Sequence, residues 1–185
     1  MYKFFDIKDK VRVPPERLGK EVKTAVTQSL QDKYEGEIKK DVGVFLAVTD
    51  LQDIKEGEIE PEDPGVFYPV EFRALVFQPE LHEIIEGEIA DITEFGAFVR
   101  IGPIDALCHV SQVMDDYVSY DEKQNRLSGR DSTRALKVGD NVRARIIAVS
   151  LEKKDTNKVN LTMRQPGLGS VSWLEEEREE EEEEE

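Results

Sequence analysis

Phe95 and Phe98, three residues apart in the stretch ITEFGAFVRIG, carry flat apolar rings that could stack on a planar ligand. Side chains alternate faces along a strand, so two aromatics at this spacing point to opposite sides unless the chain bends between them. Gly96 followed by Ala97 suits a β-bulge, which would re-aim the chain and bring both rings to one face. That face is either the core of a small fold or a platform for a nucleic-acid base. His109 adds a third ring able to stack or to touch a phosphate. Ser111, two residues on, has no His–acid pair to make it a nucleophile. Arg143 and Arg145 alternate with Val142, Ala144 and Ile146, so both project from one face of a strand. With Lys153, Lys154, Lys158 and Arg164 they could track a phosphodiester backbone, although a solvated strand face fits the same pattern.

No catalytic constellation competes with that reading. Asp115-Asp116 and the acids from Glu60 to Asp63 fall in polar loops, where solvated charge is the ordinary explanation. A glycine-rich phosphate loop with a following lysine is missing, and Gly167-Leu168-Gly169 is too short to serve as one. The single cysteine, Cys108, excludes an internal disulfide, and two histidines cannot make a zinc set, so neither a metal nor a cofactor is expected. With no long apolar run, a cytoplasmic location is the expectation. The net charge of −16 argues against a nucleic-acid partner until its distribution is seen. Residues 175–185 hold ten glutamates and one arginine, whereas residues 123–164 hold 11 basic residues against four acidic ones. Local field, rather than net charge, steers a polyanion.

The elements that must position these residues fall into two groups. Tyr2 to Val13 reads as a strand that ends at Pro14-Pro15. Leu18, Val22, Ala25, Val26 and Leu30 then make one helical face between Glu16 and Glu35, and Gly36 stops it. GVFLAVTD and VFYPVEFRALVF are strands joined by a long acidic connection, residues 53–65, which carries Gly57, Ile59 and Gly65 and could hold a short strand of its own. Residues 1–80 thus form a βαββ unit, a small α+β layer. Loops of such length are usually functional or mobile, and this one could present Ile59 and backbone groups to a protein pocket.

From residue 81 the pattern changes to short strands. IIEGEIADIT, GAFVRIG, DALCHVSQV, NVRARIIAVS and KVNLTMR make five candidates, with a polar insertion over residues 114–136. Five short strands within residues 81–165 suggest an all-β barrel of the OB type. Residues 166–185 form a C-terminal segment whose glutamate run should be disordered, because like charges repel and nothing apolar is available to bury.

The blocks EFGAFVRIG, DALCHVSQV, VGDNVRARIIAVS and NKVNLTMR, in this order, resemble the S1 motif, an RNA-binding OB domain. The resemblance implies that Phe95, Phe98 and His109 line an RNA face. Ser150 and Lys158 stand where that family usually has an Asp and an Arg. Further blocks extend the likeness over the chain: MYK, VPPE, YEG, DVGVFLAV, FYPVEFRALVF, HEIIEGEI, MDDYVSYD and LTMRQPGLG resemble the E-prime family of archaeal RNA polymerase stalk subunits, counterparts of the seventh subunit of eukaryotic polymerase II. That resemblance implies an RNP-like tip domain that docks on the polymerase core, an S1 barrel near emerging single-stranded RNA, a second stalk protein called F as heterodimer partner, and involvement of initiation factors. The chain would then be a non-catalytic subunit of a nucleotidyltransferase complex. A translation-initiation or exosome S1 protein is the alternative, but here the barrel comes second and the GxxG loop of a KH domain is absent.

Overall fold

The computed structural model describes residues 1–151 and 158–184 and divides into two compact units, Met1–Gln78 and a second that begins at Pro79. In the first unit, the apolar alternation of two 12-residue segments produces a long antiparallel pair. Strand β1 (Tyr2–Val13) runs beside β5 (Val66–Phe77) from Tyr2 opposite Phe77 to Val13 opposite Val66. β3 (Gly43–Ile54) covers the other edge of β5, and the short β2 (Ile38–Lys39) extends the sheet beyond β3.

Helix α1 (Val22–Tyr34) packs one face of this sheet through Ala25, Val26, Ser29, Leu30 and Tyr34. It starts later than the periodicity predicts. Pro15–Arg17 forms a 3-10 turn instead, and Leu18 and Val22 are exposed, because proline at the entry tightens the chain before the helix proper. The Tyr34 ring lies 5.0 Å from that of Phe72 and 5.2 Å from that of Phe45, and its hydroxyl donates to Asp9 Oδ2 at 2.5 Å.

The acidic connection is more ordered than its glycines and prolines imply. Its own short strand, β4 (Glu58–Ile59), pairs with Phe67 and Val66 of β5. Lys10 meets Glu58 and Glu60 at 2.8 and 2.9 Å, and Arg12 clasps Asp63 through two nitrogens. Asp63 in turn accepts from the Gly65 N–H at 2.8 Å.

In the second unit β6 (Ile84–Thr93), β7 (Gly96–Arg100), β8 (Asp105–His109), β12 (Asn141–Ser150) and β13 (Lys158–Thr162) close into a barrel in the order β13-β8-β7-β6-β12, with β12 pairing back to β13. Its interior is filled by inward residues of every strand, among them Ile89, Ala97, Val99, Ala106, Cys108, Val142, Ala144 and Leu161, all fully buried. Burial pushes the Cys108 thiol up to about 12, so this cysteine is inert packing rather than a nucleophile.

The remaining segments add one sheet and correct one expectation. The polar insertion is a three-stranded sheet of its own, β9 (Val118–Asp121), β10 (Arg126–Gly129) and β11 (Ala135–Lys137), in the order β11-β10-β9. Leu127 and Leu136 supply its buried face. The glutamate run is not disordered: after the two-residue β14 (Gly169–Ser170), Val171–Glu184 is helix α2. Glutamate is a good helix former, and the apolar anchor overlooked in the sequence is Trp173, only 6% exposed. No helix among the described residues is long and apolar enough to cross a membrane.

Candidate nucleic-acid interface

The hairpin between β6 and β7 decides where the aromatics go. Thr93 pairs with Gly96, which leaves Glu94 and Phe95 as a two-residue turn. No bulge forms at Gly96-Ala97; the extra residue is Ala90 on β6, between the pairs Ile89–Val99 and Asp91–Phe98. Phe95 therefore lies outside the strand, at the turn, with 63% of its surface exposed. Phe98 sits between the fully buried Ala97 and Val99, so its half-buried ring is on the outside of the barrel. Neither ring fills the barrel interior.

Strand register then brings the third ring alongside. Gly96 pairs with His109, and Phe98 pairs with Leu107. Gly96 has φ +147°, and a Cβ there would come within 2.1 Å of the Cys108 carbonyl oxygen, so only glycine permits this approach of β7 to β8. The Phe95 carbonyl accepts from the Val110 N–H at 2.8 Å, which ties the turn to the residue after His109.

His109 caps the short 3-10 turn Val110–Gln112. Its Nδ1 accepts from the Ser111 backbone N–H at 3.3 Å and lies 2.9 Å from the Ser111 hydroxyl. An accepting Nδ1 places the proton of the neutral ring on Nε2, where it can be donated to a ligand. Ser111 is thus a fixture for the histidine. Pairings also continue the row of Phe98 to exposed Asp91 on one side and, through Leu107, to exposed Asn160 on the other. These two flanking residues were missed in the sequence, because only register reveals them.

The basic residues do not all join this face. Arg143 and Arg145 share the outer side of β12, between buried Val142, Ala144 and Ile146. Arg143 lies opposite Glu86 and is held by it at 2.9 Å. Arg145 lies opposite Ile84 and Thr162, and its Nε is buried without a hydrogen-bond partner among the described residues. Lys158 opens β13 opposite exposed Ser150, but its side chain, like Lys153 and Lys154 entirely, lies outside the described residues. Arg164 pairs with Asp115 at 2.5 Å, at the end of the barrel where the insertion leaves.

In the first unit, Ile59 stands 78% exposed on β4. Gly57 and Gly65 are close-approach positions: a Cβ at Gly57 would meet Val66 at 2.6 Å, and one at Gly65 would meet the Val13 carbonyl at 3.0 Å. They shape the loop, while Ile59 is what it displays. Among the described residues no group of three or more His, Cys, Asp or Glu is arranged to hold a metal ion.

Comparison with known families agrees with the two-unit division. Residues 78–164 match the S1 RNA binding domain, and residues 8–64 match the SHS2 domain found in the N terminus of Rpb7p/Rpc25p/MJ0397. The chain is 37% identical over 177 residues to DNA-directed RNA polymerase subunit Rpo7 of Sulfolobus acidocaldarius, covering 96% of this chain and 97% of that one. The chain belongs to the Rpo7 family of RNA polymerase subunits. The Rpo7 of Saccharolobus shibatae is 35% identical over 179 residues. RNA polymerase III subunit RPC8 of Saccharomyces cerevisiae is 35% identical over 101 residues, 55% of this chain and 48% of that protein. This chain therefore consists of an SHS2 unit followed by an S1 barrel, with Phe95 and His109 exposed.

Proposed function

We propose that the chain is the non-catalytic stalk subunit of a DNA-dependent RNA polymerase, and that its barrel holds single-stranded nascent RNA while its SHS2 unit attaches to the polymerase core. The observation that carries the RNA half is the pairing of Gly96 with His109. Register puts Phe98 and His109 on the same outer side of β7 and β8, with exposed Phe95 in the adjoining turn, and this supports a shared stacking face. Base stacking on exposed aromatics tolerates any sequence, so the binding is weak and unspecific. Attachment rests on family membership and on the acidic loop, whose ion pairs hold Ile59 out for a protein pocket between the shaping glycines Gly57 and Gly65. A second stalk protein, the F partner, completes a heterodimer, and initiation factors act on the assembled stalk.

Arg143, Arg145 and Lys158 serve the phosphate backbone in this reading. The test is direct. The tagged full chain is mixed with purified polymerase core, with and without F, and separately with a labelled oligoribonucleotide. Recovery of core and a rise in RNA anisotropy are expected; capture of ribosomal small subunits or an exosome ring from lysate, in place of polymerase, would overturn the assignment.

A further inference from the structure

A second hollow of the barrel unit lies away from the aromatic turn. Between the barrel, the insertion and α2 is a cleft of about 610 Å³, lined by Arg134, Arg143, Arg164 and Arg178 over a floor that includes Met163 and Trp173. Three of these arginines already grip carboxylates. Arg134 meets Glu177 of α2 at 2.5 Å while its guanidinium lies 5.8 Å from the centre of the Trp173 ring. Arg143 meets Glu86, and Arg164 meets Asp115. All three arginine side chains are between 40% and 51% exposed, and each acidic side chain is more exposed than its arginine. Such surface pairs contribute little, so another anion can replace the carboxylate at small cost. Guanidiniums hold phosphate oxygens with two parallel donors, which suits them to that exchange.

The cleft shares Asp115 and Arg164 with the hollow beside it. That hollow, of about 600 Å³, is lined also by Ser111, which fixes His109, by exposed Tyr117, and by the carboxylates Asp116 and Asp131.

We propose that this arginine cleft is a second binding site, for the phosphodiester backbone of single-stranded RNA, and that Glu177 of the glutamate helix is the internal anion the RNA displaces. The helix is suited to yield. Like charges one turn apart destabilise it, and its acidic end opposes the helix dipole, so its hold depends on Trp173 and on the Arg134–Glu177 pair. This inference rests on the reading of the barrel as an RNA binder.

Trp173 is the chain's one tryptophan, so its emission reports on the cleft alone. The full chain is titrated with labelled oligouridylate while anisotropy follows total binding and tryptophan emission follows the cleft. Both signals should move with one midpoint. Arg134→Gln combined with Arg164→Gln, two cleft residues outside the first reading, should lower the salt slope by about 1.4 units of log affinity per log salt, at about 0.7 per lost contact. Glu177→Gln should tighten binding by a factor of roughly two to five, the weight of one surface ion pair. Circular dichroism controls the fold of each variant. Anisotropy that rises while emission stays flat, with the double variant keeping the parent's slope, would overturn the cleft and leave the aromatic face standing. Emission that answers inorganic pyrophosphate but not oligouridylate would make it a small-anion site and overturn the RNA track. Failure of both signals with RNA would remove the cleft and the RNA reading together.

Discussion

At the scale of single residues, the proposed RNA face rests on three rings and one missing side chain. Phe98→Ala or His109→Ala should weaken RNA binding by about 1–3 kcal/mol if one base stacks on each ring, with the circular dichroism spectrum unchanged. Parent-like affinity in a folded variant would return that ring to packing. Gly96→Ala acts through the backbone instead. Its Cβ would collide with the Cys108 carbonyl oxygen at a φ that other residues rarely adopt, so a loss of about 1–3 kcal/mol in stability is expected from thermal or denaturant unfolding. An alanine variant as stable as the parent would mean that β7 and β8 can separate there freely. The types and spacing of Phe95, Phe98 and His109 were legible in the sequence. Their arrangement was not, because alternation applies only inside a strand, and Phe95 lies in the turn before the strand begins.

At the scale of elements, the insertion shows why polarity was a poor guide. Its small sheet buries only Leu127 and Leu136, and its order comes from one carboxylate at its entry. Asp116 accepts from the Ser132 N–H and hydroxyl, both at 2.9 Å, from the Asp131 N–H at 3.1 Å and from the Tyr117 N–H. The Ser132 backbone bond leads the set that holds this carboxyl below its ordinary 3.8. A carboxyl depressed in the folded state stabilises it fully above the unfolded value and loses that contribution as pH falls through the folded value. Asp116→Ala should therefore lower the melting temperature at neutral pH, and the gap between parent and variant should close as the pH is taken well below 3.8. A gap that persists unchanged in acid would assign the effect to something other than this charge. The long strands were readable because their β-branched and aromatic runs are unambiguous. Even β5, with Pro69 inside it, obeys the rules: β3 ends opposite Val70 and β4 begins opposite Phe67, so the proline falls in the gap between them. The helix of the glutamate run was not readable from charge alone, since its anchor is a single tryptophan outside the run.

At the scale of the whole molecule, the chain divides into two units. Each has its own buried core, the SHS2 unit around Phe72 and Leu30 and the barrel around Ile89 and Leu161. The net charge of −16 is likewise divided, with ten glutamates gathered at the end of the chain and a basic excess in the later barrel sequence. If attachment and RNA binding belong to separate units, single substitutions must separate them. Ile59→Asp places a charge on a side chain that is already 78% exposed, so the fold should be untouched. Its cost should appear only in recovery of polymerase core, by about 2 kcal/mol or more if Ile59 is the buried anchor of that contact. RNA affinity of the same variant should equal the parent's. Phe98→Ala should do the reverse, keeping core recovery and losing RNA. Each variant is measured in both assays with F present, so a shared defect cannot hide as a specific one. Loss of both activities from either substitution would mean that the units are energetically coupled, and the division of labour read from their separate cores would then be wrong.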